Sequence, residues 1–423
     1  MSFDIARHAQ HAPGRHAERA LAPDLARGVM LLIIAVANAA GVVFASEPGV
    51  APAPEAADRG FTFLLFDLVH ARGYPVFAVM FGYGIVQLAN HQGALGASPH
   101  QVRSLLLRRN LWLVAFGFAH AVLLYYGDFL AAYGIVGTMM TLVLLRRGDR
   151  FHRIVLVIWA LSAVEVVVVG AIVVNGIIAG PDGSAPLPVS HVDSLAAPGY
   201  FDSMLDRLGE WPTHVLITLP FILIAWLGMW AARRRVLEEP ARHRTLLVRT
   251  AVLGLGIAVV GGLPAALISA GWLHVDESTA RMALLLHGGS GMFAGPGYVA
   301  VFGLLAMRIT RPGVVVGSLA ALGRRSLSGY LFQSVAWLVL LLPFTLDLGD
   351  RFAGPTVTGL IIAVAIWLTT VLIARLLDER DRPGPAETVL RRLTYGPRAA
   401  RSGAARGAGE NRVTGRKRGV RAS

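Results

Sequence analysis

The chain has 423 residues, is 55% hydrophobic and only 15% charged, and carries a formal net charge of +13. Soluble domains run to about 25% charged residues, so an ordinary soluble enzyme is excluded as the body of this chain. Cysteine is absent, which excludes disulfides, thiolate nucleophiles and cysteine metal sites; no metal site is expected.

In chain order, residues 1–22 are a loose polar arm rich in His, Arg and Ala, without the pattern of a cleavable signal. Apolar runs then occupy 28–44, 61–89, 105–126, 129–145, 154–178, 215–232, 246–270, 282–307, 327–348 and 356–377. Each approaches the ~20 residues that a helix needs to cross a ~30 Å hydrocarbon core. Most are far longer than a barrel strand and lack strict alternation, so helices are expected. The loops between them alternate in charge. Arg103, Arg108 and Arg109, then Arg146 and Arg147, Arg233 to Arg235, and Arg324 and Arg325 fall on one side. Glu47, Asp182, Asp193, Asp276, Glu277 and Asp347 fall on the other. Insertion retains Arg and Lys in the cytoplasm. The expected fold is therefore all-α: a polytopic bundle of about ten transmembrane helices in the plasma membrane, both termini cytoplasmic.

The expected membrane domain is 23–396, with a large external loop at 181–212 whose amphipathic stretch, 200–208, caps the outer face. Residues 397–423 are Gly, Ala and Arg with almost no large apolar side chain, the composition of a disordered basic tail. Much of the positive charge sits in that tail and in short loops, where topology and anionic headgroups explain it. The expected partners are the bilayer and a small-molecule or envelope substrate. Nucleic acid is not one, because no aromatic-basic interleaving accompanies the charge.

Two expected spans are unusual. The second holds Asp67, His70 and Arg72 ahead of Gly73-Tyr74-Pro75, and the eighth holds His287-Gly288-Gly289-Ser290-Gly291 and Gly295-Pro296-Gly297. Interrupted helices point to midplane sites, whereas a proline kink and a Gly-packed helix are the plainer alternatives. Intramembrane polar residues are costly and turn towards a cavity or partner. Asn38, His120 and Glu165 lie near the midplane by a count of ~1.5 Å per residue. Asp67, His70 and His287 lie in the outer half, and Gln333 in the inner half. Asp128 follows Gly127 and either caps the next helix or orients His120.

At these residues a family resemblance enters. Arg19-Ala20-Leu21-Ala22-Pro23-Asp24-Leu25-Ala26-Arg27-Gly28, with the apolar run to Asn38, resembles the R…LDxLRG…N opening of the YeiB-like membrane proteins. The C-terminal part of those proteins is catalogued as domain of unknown function 418. Phe77-Ala78-Val79-Met80-Phe81-Gly82-Tyr83-Gly84 resembles their LFSxLFGxG element. Gly117-Phe118-Ala119-His120 with Leu123 to Tyr133 is similar to GxxHxxLLxxGDILxxYA. Leu322 to Ser334 is similar to GRMSLTNYLxQS, and Gly384-Pro385-Ala386-Glu387 with Leu390 to Gly396 to GPxExLxRxxTYG. Ala26 replaces the second leucine of the opening motif, and Gly329 stands where Asn is more frequent. The resemblance implies a C-terminal family domain over about 230–396 and a distant likeness to acyltransferase-3-type enzymes and lysosomal-type heparan N-acetyltransferases.

Two function classes follow. In a membrane acyltransferase, an acyl donor such as acyl-CoA would enter from the cytoplasm with its phosphates on Arg27 and its neighbours. His120 would act as general base or acyl carrier, oriented by Asp128 or Asp67. In a proton-coupled solute transporter, the same broken spans and His, Asp and Glu residues would bind a solute and relay protons. The candidate substrate-binding residues are Asp24, Arg27, Asn38, Asp67, His70, Arg72, Glu165, His287 and Gln333. A non-catalytic membrane partner is the third reading.

Overall fold

The computed structural model describes residues 21–51, 54–180, 183–349 and 354–396. The expected N-terminal arm as far as residue 20, and the tail 397–423, lie outside the described residues. The fold is almost wholly helical. Its helices are α1 (Leu21–Phe44), α2 (Arg59–Leu68), α3 (Gly73–Ala94), α4 (Pro99–Leu123), α5 (Leu130–Met139) with a π-helical continuation at Met140–Leu144, α6 (Asp149–His152) and α7 (Ile154–Ala179). There follow α8 (Asp193–Ala196), α9 (Tyr200–Thr218), α10 (Ile222–Arg233), α11 (Arg244–Ser269), α12 (Glu277–Arg308), α13 (Val314–Arg324), α14 (Ser326–Leu340), α15 (Pro355–Glu379) and α16 (Pro385–Tyr395). Two short external strands, β1 (Ser46–Glu47) and β2 (Ser190–His191), pair antiparallel and tie the end of α1 to the large outer loop.

Seven helical segments among the described residues are long and apolar enough to cross a membrane: α1, α2 with α3, α6 with α7, α9 with α10, α11, α12 and α15. The other three runs expected to span are α4, which carries Arg103, Arg108 and Arg109, and the shorter apolar helices Leu130–Leu144 and Ser326–Leu340. Fifteen residues reach only about 22 Å at ~1.5 Å each, short of a ~30 Å core. On the expected ten-span topology the irregular backbone between α4 and α5 would lie at membrane depth, which requires protein to cover it. The cover is α9. Tyr200 donates its hydroxyl to the Leu123 carbonyl (3.1 Å), and the fully buried Arg207 donates Nε–H to that of Val122 (3.0 Å). The stretch expected to be an interfacial helix at 200–208 is thus the first half of a helix that continues to Thr218.

The two expected breaks resolve differently. Between α2 and α3 the helix does break, at Val69–Arg72, where Ala71 adopts φ +57°. Pro75 lies in the first turn of α3, where a missing N–H costs nothing. By contrast α12 runs unbroken through Pro296 and its glycines. Those glycines allow close packing: a Cβ on Gly295 would lie 2.6 Å from Pro75, and one on Gly291 2.9 Å from the Ala71 carbonyl. Gly288 and Gly289 make no such approach.

Small residues let helices meet backbone to backbone where lipid offers no hydrophobic drive. A Cβ on Gly82 of α3 would sit 1.8 Å from the Ala225 carbonyl of α10, and one on Gly228 of α10 would sit 2.0 Å from the Val79 carbonyl of α3. Gly28 of α1 and Gly323 of α13 meet the same way, at 2.1 Å from Leu319 and 1.7 Å from Asp24. Gly82→Ala is expected to lower the thermal midpoint of the detergent-purified protein sharply, by the equivalent of about 3 kcal/mol. Gly93→Ala, with nothing within 4 Å of the added methyl, should leave it unchanged. Equal midpoints for the two variants would contradict this packing.

Candidate functional site

Two clusters of buried polar side chains contain expected site residues. The inner one joins three segments. His120 stands in the last turn of α4, about 16 Å beyond Arg109 along the helix axis. Asp128 precedes α5, and Ser334 lies in the second half of α14. His120 Nδ1 is 2.9 Å from Asp128 Oδ1, and His120 Nε2 is 2.7 Å from Ser334 Oγ. All three residues are at most 3% exposed.

The local structure explains how they are held. Asp128 accepts from the backbone N–H groups of Leu130 (3.1 Å) and Ala131 (2.8 Å), one on each oxygen, so it caps α5 and meets His120 at once. A carboxylate only accepts, so His120 donates from Nδ1 and presents the Nε2 lone pair to the Ser334 hydroxyl. Ser334 Oγ is 3.4 Å from the Tyr330 carbonyl, farther than from the imidazole. The start of α14 is fixed by α16: Glu387 accepts from the N–H groups of Leu327 (2.8 Å) and Ser328 (3.1 Å) and from the Ser328 hydroxyl. Arg324 and Arg325 both donate to Asp378 of α15, at 2.7 and 2.9 Å.

Next to Ser334 in the chain, Gln333 donates to the Leu31 carbonyl of α1 at 3.3 Å. Gln333 Oε1 and the Trp337 indole N–H are buried without a hydrogen-bond partner among the described residues.

The outer cluster surrounds the α2–α3 break. Arg72, 1% exposed, donates from Nε to the Asp67 carbonyl (3.2 Å), from Nη1 to that of His287 (3.0 Å) and from Nη2 to that of Ala258 (2.9 Å). Its charge faces the Asp67 carboxylate at 4.0 Å. His70 Nδ1 lies 3.1 Å from His287 Nε2, and His70 Nε2 lies 3.4 Å from Glu47. Tyr126 donates to the other Glu47 oxygen at 3.0 Å. Desolvation pushes the Glu47 carboxyl up, but the hydrogen bonds of His70 and Tyr126 prevail and hold it below the ordinary carboxylate range.

Of the expected site residues, the structure thus joins His120 and Asp128 in one cluster and Asp67, His70, Arg72 and His287 in another, while Gln333 bonds instead to the Leu31 carbonyl of α1. No direct bond links the clusters among the described residues; Glu47 and Tyr126 stand between them. Asp24 and Arg27 pair at 3.6 Å near the N-terminal end of α1, and Asn38 is half-buried on the same helix. Both places lie apart from the clusters. Glu165 was expected to face a polar site, yet it is exposed on α7, the helix least covered by the bundle. Ser334 was missed as a site residue. Its signal was the Gln333-Ser334 pair closing a motif, and a serine in an apolar run is too cheap in hydrocarbon to draw notice. Glu47 was read only as a loop acid.

The comparisons with known proteins fit this division. Residues 231–397 match the family described as "Protein of unknown function (DUF418)". That region supplies Ser334, Gln333, His287 and the capping Glu387, while His120, Asp128 and Arg72 come from the preceding part. The chain is 26% identical over 405 residues to the "Uncharacterized protein YeiB" of Escherichia coli (strain K12), covering 89% of this chain and 96% of that one. It is also 26% identical over 338 residues to the "Uncharacterized protein YxaH" of Bacillus subtilis (strain 168), covering 76% and 78%. An "Uncharacterized 39.9 kDa protein in amylase 3'region" of Bacillus acidopullulyticus is 25% identical over 396 residues, covering 88% and 92%.

Proposed function

We propose that this chain is a YeiB-like, multi-pass protein of the plasma membrane that transfers an acyl group from a thioester donor to a hydroxyl or amine acceptor. The Ser334–His120–Asp128 relay carries the proposal: hydroxyl, imidazole and carboxylate stand in the order that activates a serine. Ser334 Oγ attacks the acyl carbonyl carbon while His120 Nε2 takes the hydroxyl proton. The donor thiolate then leaves with that proton, and an acyl-serine remains. The acceptor attacks the acyl-serine, His120 again takes a proton, and Oγ recovers it as the product ester or amide departs. The Trp337 indole N–H, one turn from Ser334, is the group suited to hold the acyl carbonyl oxygen.

The test uses the detergent-purified chain with acyl-CoA and a thiol reagent. A protein without cysteine adds no background. Thiol release, with the acyl mass on the peptide containing Ser334, is expected. Acyl-CoA left intact at millimolar concentration, with no acyl-peptide, would overturn the proposal. The runner-up, proton-coupled transport, draws on the outer cluster, where a hydrogen-bonded histidine pair at 3.1 Å adjoins a broken helix. Proton-driven solute uptake into proteoliposomes would favour it.

The ten-span topology belongs to this proposal. Single cysteines at Ser184 and Ser278 should react with an impermeant thiol reagent in intact cells, and cysteines at Arg150 and Thr245 only after permeabilisation. All four positions are exposed. Labelling of Arg150 or Thr245 from outside would overturn it.

A further inference from the structure

Arg72, His287, His70 and Glu47 form a chain of hydrogen bonds whose direction is fixed at both ends. An arginine only donates, so the Arg72 Nη2 contact at 3.4 Å leaves His287 Nδ1 as an acceptor and puts the His287 proton on Nε2. His287 Nε2 then donates to His70 Nδ1 at 3.1 Å, and His70 donates from Nε2 to the Glu47 carboxylate at 3.4 Å. Each ring carries one proton in this arrangement, and neither has a spare lone pair. His287 cannot change tautomer, because a proton on Nδ1 would face the Arg72 N–H groups. A proton taken up by His70 has only Nδ1 to occupy, where it meets the His287 Nε2–H across 3.1 Å. Two donors without an acceptor do not hold that distance, so the protonated ring must part from His287.

The surroundings direct that charge to His70 rather than to His287. His287 is 1% exposed and lies against the Arg72 guanidinium, whereas the His70 side chain is 20% exposed and faces Glu47. Glu47 stays ionised: despite desolvation, its bonds to His70 and Tyr126 keep its carboxyl below the ordinary range. The other titratable groups around the pair are Asp67, Tyr74 and Tyr298 beside Arg72, and Tyr126 and His214 beside Glu47. His70 sits in the turn between α2 and α3, next to Ala71 at φ +57°. It also lines a cleft between α1, α2 and α15, walled mainly by apolar side chains such as Val36, Ala37, Leu65 and Leu360. The cleft has a volume of about 30 Å³, room for a water molecule or two.

We propose that His70 is an acid-operated switch: on protonation it parts from His287, turns towards Glu47 and hydrates the cleft that it lines. Histidine is the side chain whose charge ordinarily changes between pH 5 and 8. A neutral ring leaves the cleft narrow and dry. An imidazolium in its wall draws water in, because a charge is costly to bury without it. No group of the Ser334 relay takes part, so the switch stands apart from the acyl-transfer reading.

The test reads the cleft in the detergent-purified full chain. Ala37→Cys places the protein's single thiol in the cleft wall. Its rate with iodoacetamide is divided at each pH by that of the exposed Ser184→Cys, which removes the pH dependence of the thiolate itself. Between pH 7.5 and 5.5 this ratio should rise about tenfold as water enters. Adding His70→Gln, which takes up no proton, should abolish the rise. His287→Gln should abolish it by a different route, because an amide can turn its oxygen to a protonated His70 and keep the bond. A flat ratio in Ala37→Cys alone would overturn the proposal. So would an undiminished rise with His70→Gln, which would assign the response to His214, and so would an undiminished rise with His287→Gln.

Discussion

Ser334→Ala is expected to reduce acyl transfer about 10³- to 10⁴-fold while leaving insertion and the thermal midpoint intact, and His120→Ala should match it. The hydroxyl is small and its neighbours are well packed, so its loss removes a nucleophile without opening a cavity. Asp128→Asn separates the two roles of that residue. Asn caps a helix about as well as Asp, so at most about 1 kcal/mol of stability should be lost. However, Asn has one acceptor oxygen where Asp128 uses two to meet Leu130, Ala131 and His120. It can cap α5 or hold the Nδ1 proton, not both, so the imidazole is no longer oriented and the rate should fall by about 10³-fold or more. Full activity in Asp128→Asn would reduce the residue to a helix cap, and full activity in Ser334→Ala would remove the acyl-serine.

Arg72→Met should prevent recovery of monodisperse protein. Arg72 donates to the Asp67 carbonyl beside the α2–α3 break and to the Ala258 and His287 carbonyls of α11 and α12, and its charge faces Asp67. Hydrogen bonds from a charged donor contribute about 1.5–3 kcal/mol each, so losing three of them rivals the ~5–15 kcal/mol net stability of a domain. Lysine has a single nitrogen and cannot span carbonyls on three segments, so Arg72→Lys should rescue only part. Arg281→Met, which loses an exposed i,i+4 pair with Glu277, should be near neutral. A thermal midpoint for Arg72→Met within a few degrees of the parent, read by size-exclusion chromatography after heating, would show that the break does not depend on this guanidinium.

Arg72 also illustrates how far the sequence could be read. It was expected among substrate-binding residues because an arginine inside an apolar run is costly, and costly residues are often functional. The guanidinium is held by backbone: it ties the α2–α3 break to carbonyls of α11 and α12. The tandem glycines of α12 misled in the opposite sense. Pro296 and the Gly clusters suggested an interruption, yet neighbouring backbones fill the space those glycines leave and the helix persists.

The sequence by itself determined the class of molecule, because hydropathy and charge act locally and are summed during insertion, one segment at a time. It determined that long apolar helices dominate the fold, and it singled out His120 and Asp128 as polar residues beside apolar runs. Tertiary structure alone decided which polar groups meet. Ser334 lies 214 positions from His120, and nothing in the period of either helix encodes that contact. Glu165 and His120 look alike in sequence, each polar within an apolar run. Packing buries one against a serine and leaves the other on the outer face of α7. The reason is physical: a side chain's depth follows from its own segment, but its partners follow from which faces of which helices can approach. That is set by backbone-close contacts such as Gly82 against Ala225, which depend on the whole bundle at once.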